Sequence, residues 1–140
     1  MDTDKKTDRE GDIVGRMPMG VEIDRVTEGI LGAAFEVSSS LGHGFLEVVY
    51  RKALVHELTL RAMLVEQERR FELTYKGAPI GHYVCDLLVD SLVIVELKAI
   101  DQLAQSHVGQ LLNYLKASDL KVGLLLNFGR PKLEYRRVLL

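Results

Sequence analysis

The chain has 140 residues, of which 47% are hydrophobic and 27% charged, with 18 basic and 20 acidic side chains. This length fits one domain built around one hydrophobic core. The net charge of −2 excludes a generally basic coat for nucleic acid, so any nucleic-acid contact must come from a local patch. Cys85 is the single cysteine of the sequence, which excludes an internal disulfide framework and a zinc site made of several cysteines.

Residues 1–20 form a segment with charges of mixed sign that glycine and proline interrupt. Too little apolar surface is present there to offset the entropy of ordering, so we expect a disordered tail, with a partner-binding arm as the alternative. The sequence contains no secretory signal and no run approaching roughly 18 apolar residues, so we expect no membrane segment and a cytoplasmic location. The folded domain is predicted to span residues 21–140.

Helical periodicity begins at Val21. Apolar residues recur at steps of three and four as far as Val37, and a run of serines followed by Gly42 is predicted to end this helix. A second helix with similar apolar spacing is predicted from about Phe45 to Arg61. The domain therefore opens with a pair of helices before any strand.

The pattern then changes to one typical of strands. Strands are predicted at residues 64–75, 80–89 and 92–98, with turn residues between them. The last of these is apolar on both faces, which is typical of a central strand covered on both sides. A helix at about residues 102–117 and strands at 121–128 and 134–140 complete the chain. The helix before the fourth strand implies a crossover connection, so the sequence predicts an α/β domain.

Three charged residues are the strongest candidates for chemistry. Asp86 lies near the end of one predicted strand, and Glu96 and Lys98 lie on the next. Side chains two apart on a strand share a face, so Glu96 and Lys98 project together. Charges on a buried strand are costly unless they pair or hold an ion. An ion pair between Glu96 and Lys98 is the structural alternative to a functional site.

This spacing resembles the signature of the PD-(D/E)XK nuclease superfamily, in which an acid on one strand is followed by (D/E)-x-K on its hairpin partner. The element order αβββαβ within the chain also resembles the superfamily's restriction-endonuclease-like core. That resemblance implies a mixed central sheet flanked by helices. The proline that often precedes the first acid is replaced here by Cys85, a small departure from the pattern.

Two further motifs narrow the resemblance. The segment from Gly44 to Tyr50 is similar to the GxxExxY signature of a family of small proteins assigned to the same superfamily. The segment from Gln110 to Tyr114 is similar to the QxxxY motif of its RecB-like branch. The resemblance covers residues 22 to 138, and its four motifs stand in the right order along one small domain.

The resemblance implies a Mg²⁺ or Mn²⁺ site. Asp86 and Glu96 would supply carboxylate ligands and Leu97 a backbone carbonyl, which suits a hard cation that keeps several waters. The cation would activate a water and neutralise charge on the phosphate. Lys98 would orient that water or stabilise the charge. Glu47 would be a further acid at the site, and its alternative is a structural one, as the third helical residue after a Gly44 cap.

The QxxxY resemblance implies that one face of the third predicted helix contacts substrate. Gln110 and Tyr114 lie one turn apart on that face, and His107 lies one turn earlier. The structural alternative is an ordinary helix with one polar face. We expect substrate contacts from Gln110, Tyr114 and His107.

Three functions are compatible with the sequence. The first is a metal-dependent nuclease that hydrolyses phosphodiester bonds in nucleic acid, with DNA favoured over RNA. The second is a non-catalytic nucleic-acid- or protein-binding module on the same fold, and the third is a regulatory interaction protein without a nucleic-acid role. The complete set of Asp86, Glu96 and Lys98 favours the nuclease. A domain this small has little surface for gripping a substrate, which a homodimer or a partner subunit could supply.

The site hypothesis makes a geometric prediction about the hairpin between Asp86 and Glu96. Opposed residues of an antiparallel pair point to the same face, and side chains alternate between the two faces along each strand. For Asp86 and Glu96 to share a face, the residue numbers of opposed partners must therefore sum to an even value, such as 182. A two-residue turn at Asp90-Ser91 would instead oppose Asp86 to Val95. We therefore predict a bulge or a three-residue loop, for instance residues 90–92 closed by the residues on either side.

Overall fold

A computed structural model describes residues 20–140, and the predicted tail at residues 1–20 lies outside the described residues except for Gly20. The described part contains three helices and five strands in the order ααβββαββ. In chain order they are α1 Val21–Leu41, α2 Glu47–Leu60, β1 Val65–Tyr75, β2 Ala78–Val89, β3 Val93–Lys98, α3 Gln105–Ser118, β4 Val122–Asn127 and β5 Glu134–Leu139.

The strands form one mixed sheet in the order β1-β2-β3-β4-β5. β3 and β4 pair in parallel through the α3 crossover, and the other neighbouring strands pair antiparallel. This is the mixed central sheet flanked by helices that the sequence predicted, so the fold class is confirmed.

Two hydrophobic clusters cover the two faces of the sheet. The first joins α1 and α2 to alternate residues of the central strands, and the second joins α3 to the residues between them. In β3, Val93 and Val95 belong to the first cluster and Ile94 to the second, and all three are fully buried. Both faces of β3 are therefore covered, which explains why the strand is apolar on both faces and confirms the predicted central strand.

Several element boundaries differ from those predicted. α1 continues through the serine run to Leu41, and within it the Ser40 hydroxyl donates to the Glu36 carboxylate one turn earlier (3.2 Å). Gly42 caps this helix with φ of 73°, as expected for glycine. α2 begins at Glu47 rather than Phe45, and α3 begins three residues later than predicted.

β1 and β2 change faces partway along their hairpin. In β2, Leu87 belongs to the first cluster, whereas Cys85 belongs to the second, although residues two apart normally share a face. The pairing passes from Gln67–Leu87 to Arg69–Cys85 without a regular pair between them. Glu68, which lies at this step, has a φ of 53°. The backbone therefore turns over at the level of Asp86.

None of the helices in residues 20–140 has the length and apolar character needed to cross a membrane.

Candidate active site

The hairpin between β2 and β3 has the odd-numbered connection that the sequence predicted. Val89 pairs with Val93, so the loop consists of residues 90–92, and partner numbers sum to 182. The Leu92 amide donates to the Val89 carbonyl (3.0 Å), and Asp90 and Ser91 both have positive φ, 51° and 58°. The register prediction is confirmed, and it directs Asp86 toward Glu96.

β2 and β3 separate at Asp86 and Glu96, a place that we call the fork. The regular ladder ends at Leu87–Val95, one pair before the fork. Beyond it, side chains replace backbone pairing. The Leu97 amide donates to Asp86 Oδ2 (2.8 Å), and the Asp86 amide donates to Glu96 Oε2 (3.3 Å). The two carboxylates are thus held between the same two strands.

The electrostatics of the fork are set first by burial and then by the neighbouring acids. Burial, and then the nearby Asp86 carboxylate, raise the pKa of Glu96 from its ordinary 4.5 to about 8. The Asp86 amide and the Lys98 ammonium oppose this rise, and Glu47 adds to it. In residues 20–140 no close ion pair joins Glu96 to Lys98. The simple ion pair that was the structural alternative for these two residues is therefore not formed.

Glu47 joins the same electrostatic group from the start of α2. Burial and the Asp86 carboxylate raise the pKa of Glu47, while Lys98 and Arg51 lower it. Three elements, α2, β2 and β3, therefore contribute charges that act on one another. Asp86, Glu96, Lys98 and Glu47 are therefore near one another, while their roles at a site stay a prediction.

The structural explanation for Glu47 is wrong. It required Gly44 as the N-cap, but the N-cap is Leu46, which makes no side-chain capping bond, and Glu47 is the first helical residue. Gly44 has a φ of 114° and belongs to the loop before the helix. A glutamate in the first turn still favours the helix dipole. It does not close a capping box.

The three candidates on α3 lie in different surroundings. Tyr114 is half-buried, and its pKa is raised by burial and by the Glu96 charge, while a hydrogen bond from Gln110 lowers it. Gln110 is exposed. His107 has a structural partner, since its Nδ1 accepts a hydrogen bond from the Ala104 amide (2.9 Å) at the start of α3. Tyr114 and Gln110 thus lie near the fork, and His107 caps its own helix.

Sequence reasoning missed residues that support this group. Tyr83 stacks on Tyr114 with ring centroids 3.5 Å apart and planes 13° from parallel, and Phe71 stacks on the other side of Tyr83. Arg51, one turn after Glu47, binds Glu68 (3.0 Å). The aromatic residues Tyr83 and Phe71, on two paired strands, were the signal in the sequence that could have predicted this stack. They face α3 because the backbone turns over at Glu68, which the sequence does not show.

The residues of the fork fit a hard divalent cation. Two carboxylates match the oxygen ligands that Mg²⁺ prefers, and water fills the positions that the protein leaves open. Burial, and then the Asp86 charge, raise the pKa of Glu96, and a cation bound at the fork would favour the ionised form of this carboxyl. Within residues 20–140 no cluster of three or more His, Cys, Asp or Glu side chains is arranged to hold a metal ion. A cation at the fork would therefore need water and backbone oxygens besides Asp86 and Glu96.

A family model and a solved structure are similar to this chain. A solved structure described as "Crystal structure of SSO0001" is 15% identical to the chain, with a TM-score of 0.45, and the match covers 97% of this chain and 74% of the other. No curated protein matches the sequence. The family model of the PD-(D/E)XK nuclease superfamily matches residues 24–138. The chain belongs to the PD-(D/E)XK nuclease superfamily.

Proposed function

We propose that this protein is a metal-dependent nuclease that hydrolyses phosphodiester bonds, with its active site at the fork. The observation that carries the proposal is the crossed pair of hydrogen bonds that holds Asp86 and Glu96 between the same two strands. Two carboxylates so close are costly in a half-buried place unless a cation compensates them. Membership of the superfamily supports nuclease activity in general.

Each residue at the fork has a proposed role. Asp86, Glu96 and the Leu97 carbonyl would hold Mg²⁺ or Mn²⁺. When bound, the cation supplies an activated water and neutralises charge on the phosphate. The ammonium of Lys98 stabilises the charge that develops on the phosphate, since it belongs to a half-buried residue whose charge acts on Glu96 and Glu47. Glu47 accepts hydrogen bonds from water at the site.

Substrate contacts are proposed for α3. Tyr114 presents a hydroxyl near the Glu96 charge, and Gln110 is exposed beside it. We assign both to orientation of the nucleic acid. His107 is the weakest of the three candidates, because its Nδ1 is used by the helix start and only its other nitrogen is left for substrate.

The finer assignments are part of the same proposal. The Gly44–Tyr50 and Gln110–Tyr114 segments support membership of the GxxExxY family and of the RecB-like branch. DNA is the favoured substrate and the cytoplasm the proposed compartment. A homodimer would enlarge the surface around a site that belongs to a domain of this size.

The test is cleavage by the purified protein with Mg²⁺, with Mn²⁺ and with EDTA. Linear, circular and branched DNA and RNA serve as substrates for the wild type, Lys98→Ala and Glu72→Gln. Glu72 is the matched control, because it is an exposed strand carboxylate paired with Arg70 (2.7 Å) outside the fork. We expect cleavage that needs the divalent cation, that Glu72→Gln retains and that Lys98→Ala loses by about a hundredfold or more.

Absence of cleavage under all these conditions, or cleavage that Lys98→Ala retains in full, would contradict the nuclease proposal. Binding of nucleic acid without cleavage would instead support the non-catalytic module.

A further inference from the structure

The three residues that end β4 and follow it, Asn127, Phe128 and Gly129, connect parts of the candidate site that are far apart in sequence. We call them the NFG segment. Asn127 is fully buried and Phe128 is 1% exposed. Asn127 is the strand partner of Lys98 on one side and of Glu134 on the other. The segment therefore lies directly beside the strand end that carries Lys98.

The Asn127 amide fixes the chain just after Lys98. Its Oδ1 accepts hydrogen bonds from the Ile100 and Gly129 amides, both at 3.0 Å. Its Nδ2 donates to the Ile100 carbonyl (3.0 Å) and to Glu134 Oε1 (2.9 Å). Both backbone groups of Ile100 are thus satisfied by one side chain, which makes the amide of Asn127 a clamp on the loop.

Three more contacts hold the same loop. The Phe128 amide donates to the Lys98 carbonyl (2.8 Å). A Cβ at Gly129 would overlap the backbone of Ile100, so the two chain segments approach closely enough to require glycine. Glu134 Oε1 also accepts from the Leu103 amide (3.1 Å), which fixes the loop that leads into α3.

The opposite side of the NFG segment reaches the loop before Glu47. The Phe128 ring stacks on Tyr50, with centroids 4.9 Å apart and planes 11° from parallel. The buried Tyr50 hydroxyl donates to the Gly42 carbonyl (2.6 Å) and accepts from the Phe45 amide (3.2 Å). The loop before Glu47 is therefore held by Tyr50, whose ring packs against Phe128 of the NFG segment.

We propose that the NFG segment positions the active site, with Asn127 acting through Lys98 and Phe128 acting through Glu47. The inference rests on the proposed function of the fork. A buried, fully satisfied polar network holds one arrangement of its neighbours, and a shifted reacting group costs catalysis far more than binding. Asn127, Phe128 and Glu134 are accordingly positioning residues, and none is placed in contact with substrate or cation.

Asn127→Asp is the principal test, because it keeps the size of the side chain and replaces its N–H donors with an acceptor. The new carboxylate faces the Ile100 carbonyl and the Glu134 carboxylate without a proton to share. Combining it with Glu134→Gln supplies an amide that can donate to the new carboxylate. Thr27→Val is the matched control, since Thr27 is 1% exposed and its hydroxyl donates to the Ile23 carbonyl (2.8 Å) on α1, outside the site.

The measurements are single-turnover cleavage of DNA, Mn²⁺ affinity by calorimetry and hydrogen exchange at the Ile100 amide. We expect Asn127→Asp to lower the cleavage rate at saturating substrate by roughly tenfold to a hundredfold, with faster exchange at Ile100. Adding Glu134→Gln should restore a substantial part of the rate. Adding Asn127→Asp to Lys98→Ala should have little further effect, because the two residues act through one group.

Phe128→Leu tests the second part of the proposal, in which Phe128 acts through Glu47. It also replaces the principal test if Asn127→Asp does not fold. It should slow cleavage in the wild type and have little effect in a Glu47→Gln background. The positioning role is overturned if Asn127→Asp and Phe128→Leu match Thr27→Val in rate and Mn²⁺ affinity, or if their effects add fully to those of Lys98→Ala and Glu47→Gln. A wild type that does not cleave nucleic acid overturns the proposed function instead. In that case unchanged exchange at Ile100 would overturn the clamp as well.

Discussion

The carboxylate of Asp86 accepts a hydrogen bond from the backbone amide of Leu97, with 2.8 Å between Oδ2 and N. The Asp86 amide in turn donates to Glu96 Oε2 (3.3 Å), so each acid binds the strand that carries the other. These bonds stand where a regular antiparallel pair would otherwise continue. The fork therefore brings two acids together by using their side chains in place of the strand ladder.

Asp86→Asn is expected to separate catalysis from stability. An amide at this position keeps an oxygen that can accept from the Leu97 amide, and it removes a charge that raises the pKa of Glu96. The unfolding temperature in EDTA should therefore stay close to that of the wild type. On the proposed function, cleavage should fall by about a hundredfold or more, because a carboxylate that would hold the cation is lost. Thermal unfolding in EDTA and single-turnover cleavage with Mn²⁺ check the two parts, and wild-type cleavage by the variant would make Asp86 structural.

The stability of the cation-free protein should depend on pH through Glu96. The pKa of this carboxyl is raised to about 8, so between about pH 4.5 and 8 the folded protein retains a proton that the unfolded chain has released. The folded state binds more protons in this window, so the contribution of Glu96 to stability is largest at the acid end and is lost as the pH rises. The side chain introduced by Glu96→Gln does not ionise, so the stability of this variant should not fall in this way as the pH rises.

The measurement is the unfolding temperature of wild type and Glu96→Gln in EDTA from pH 5 to pH 8.5. The two should be similar near pH 5, and the wild type should become progressively less stable relative to the variant above it. Adding Mg²⁺ at pH 8.5 should raise the unfolding temperature of the wild type more than that of Glu96→Gln. A constant difference across this range would show that the Glu96 pKa is not raised.

Cys85 should be chemically inert in the folded protein. It is fully buried, and burial followed by the Glu96 charge raises the pKa of its thiol to about 11. Only about one thiol in a thousand would be ionised at pH 8, and the thiolate is the reactive form. We expect no reaction with Ellman's reagent at pH 8 until guanidinium unfolds the chain, and then one thiol per chain. Rapid labelling of the native protein together with loss of cleavage would assign Cys85 a functional role.

The sequence was sufficient for the parts of the fold that depend on local pattern. The two-sided apolar run of β3 identified a central strand, and the fixed spacing of Asp86 and Glu96 required the odd-numbered loop that the register confirms. Such features follow from the period of two in a strand, and that period can be counted in a sequence.

Features that depend on long-range contacts could not be found in this way. Asn127 lies at the end of an apolar run, and nothing local distinguishes it from a turn residue, because its partners Ile100 and Glu134 are brought to it by the crossover and by β5. The spacing from Gly44 to Glu47 also fits a capping box, the structural alternative for Glu47, which is excluded because Leu46 is the N-cap. Gly44 has a φ of 114° and lies in a loop that the Tyr50 hydroxyl binds at Gly42 and Phe45.

The loop that sets the register of the fork should respond to substitution at Ser91 through backbone strain. Ser91 has a φ of 58°, a conformation that costs a residue with a Cβ about 1 kcal/mol, and a β-branched residue more. Ser91 is also exposed, so side-chain contacts contribute little. Ser91→Gly should therefore be neutral or stabilise by up to about 1 kcal/mol, and Ser91→Val should destabilise by roughly 1–2 kcal/mol.

Both variants should keep the cleavage rate of the folded protein, because Val89 and Val93 still close the loop and oppose Asp86 to Glu96. Urea unfolding with single-turnover cleavage at low temperature checks this, and a Ser91→Val variant as stable as the wild type would show that the residue does not hold the left-handed conformation.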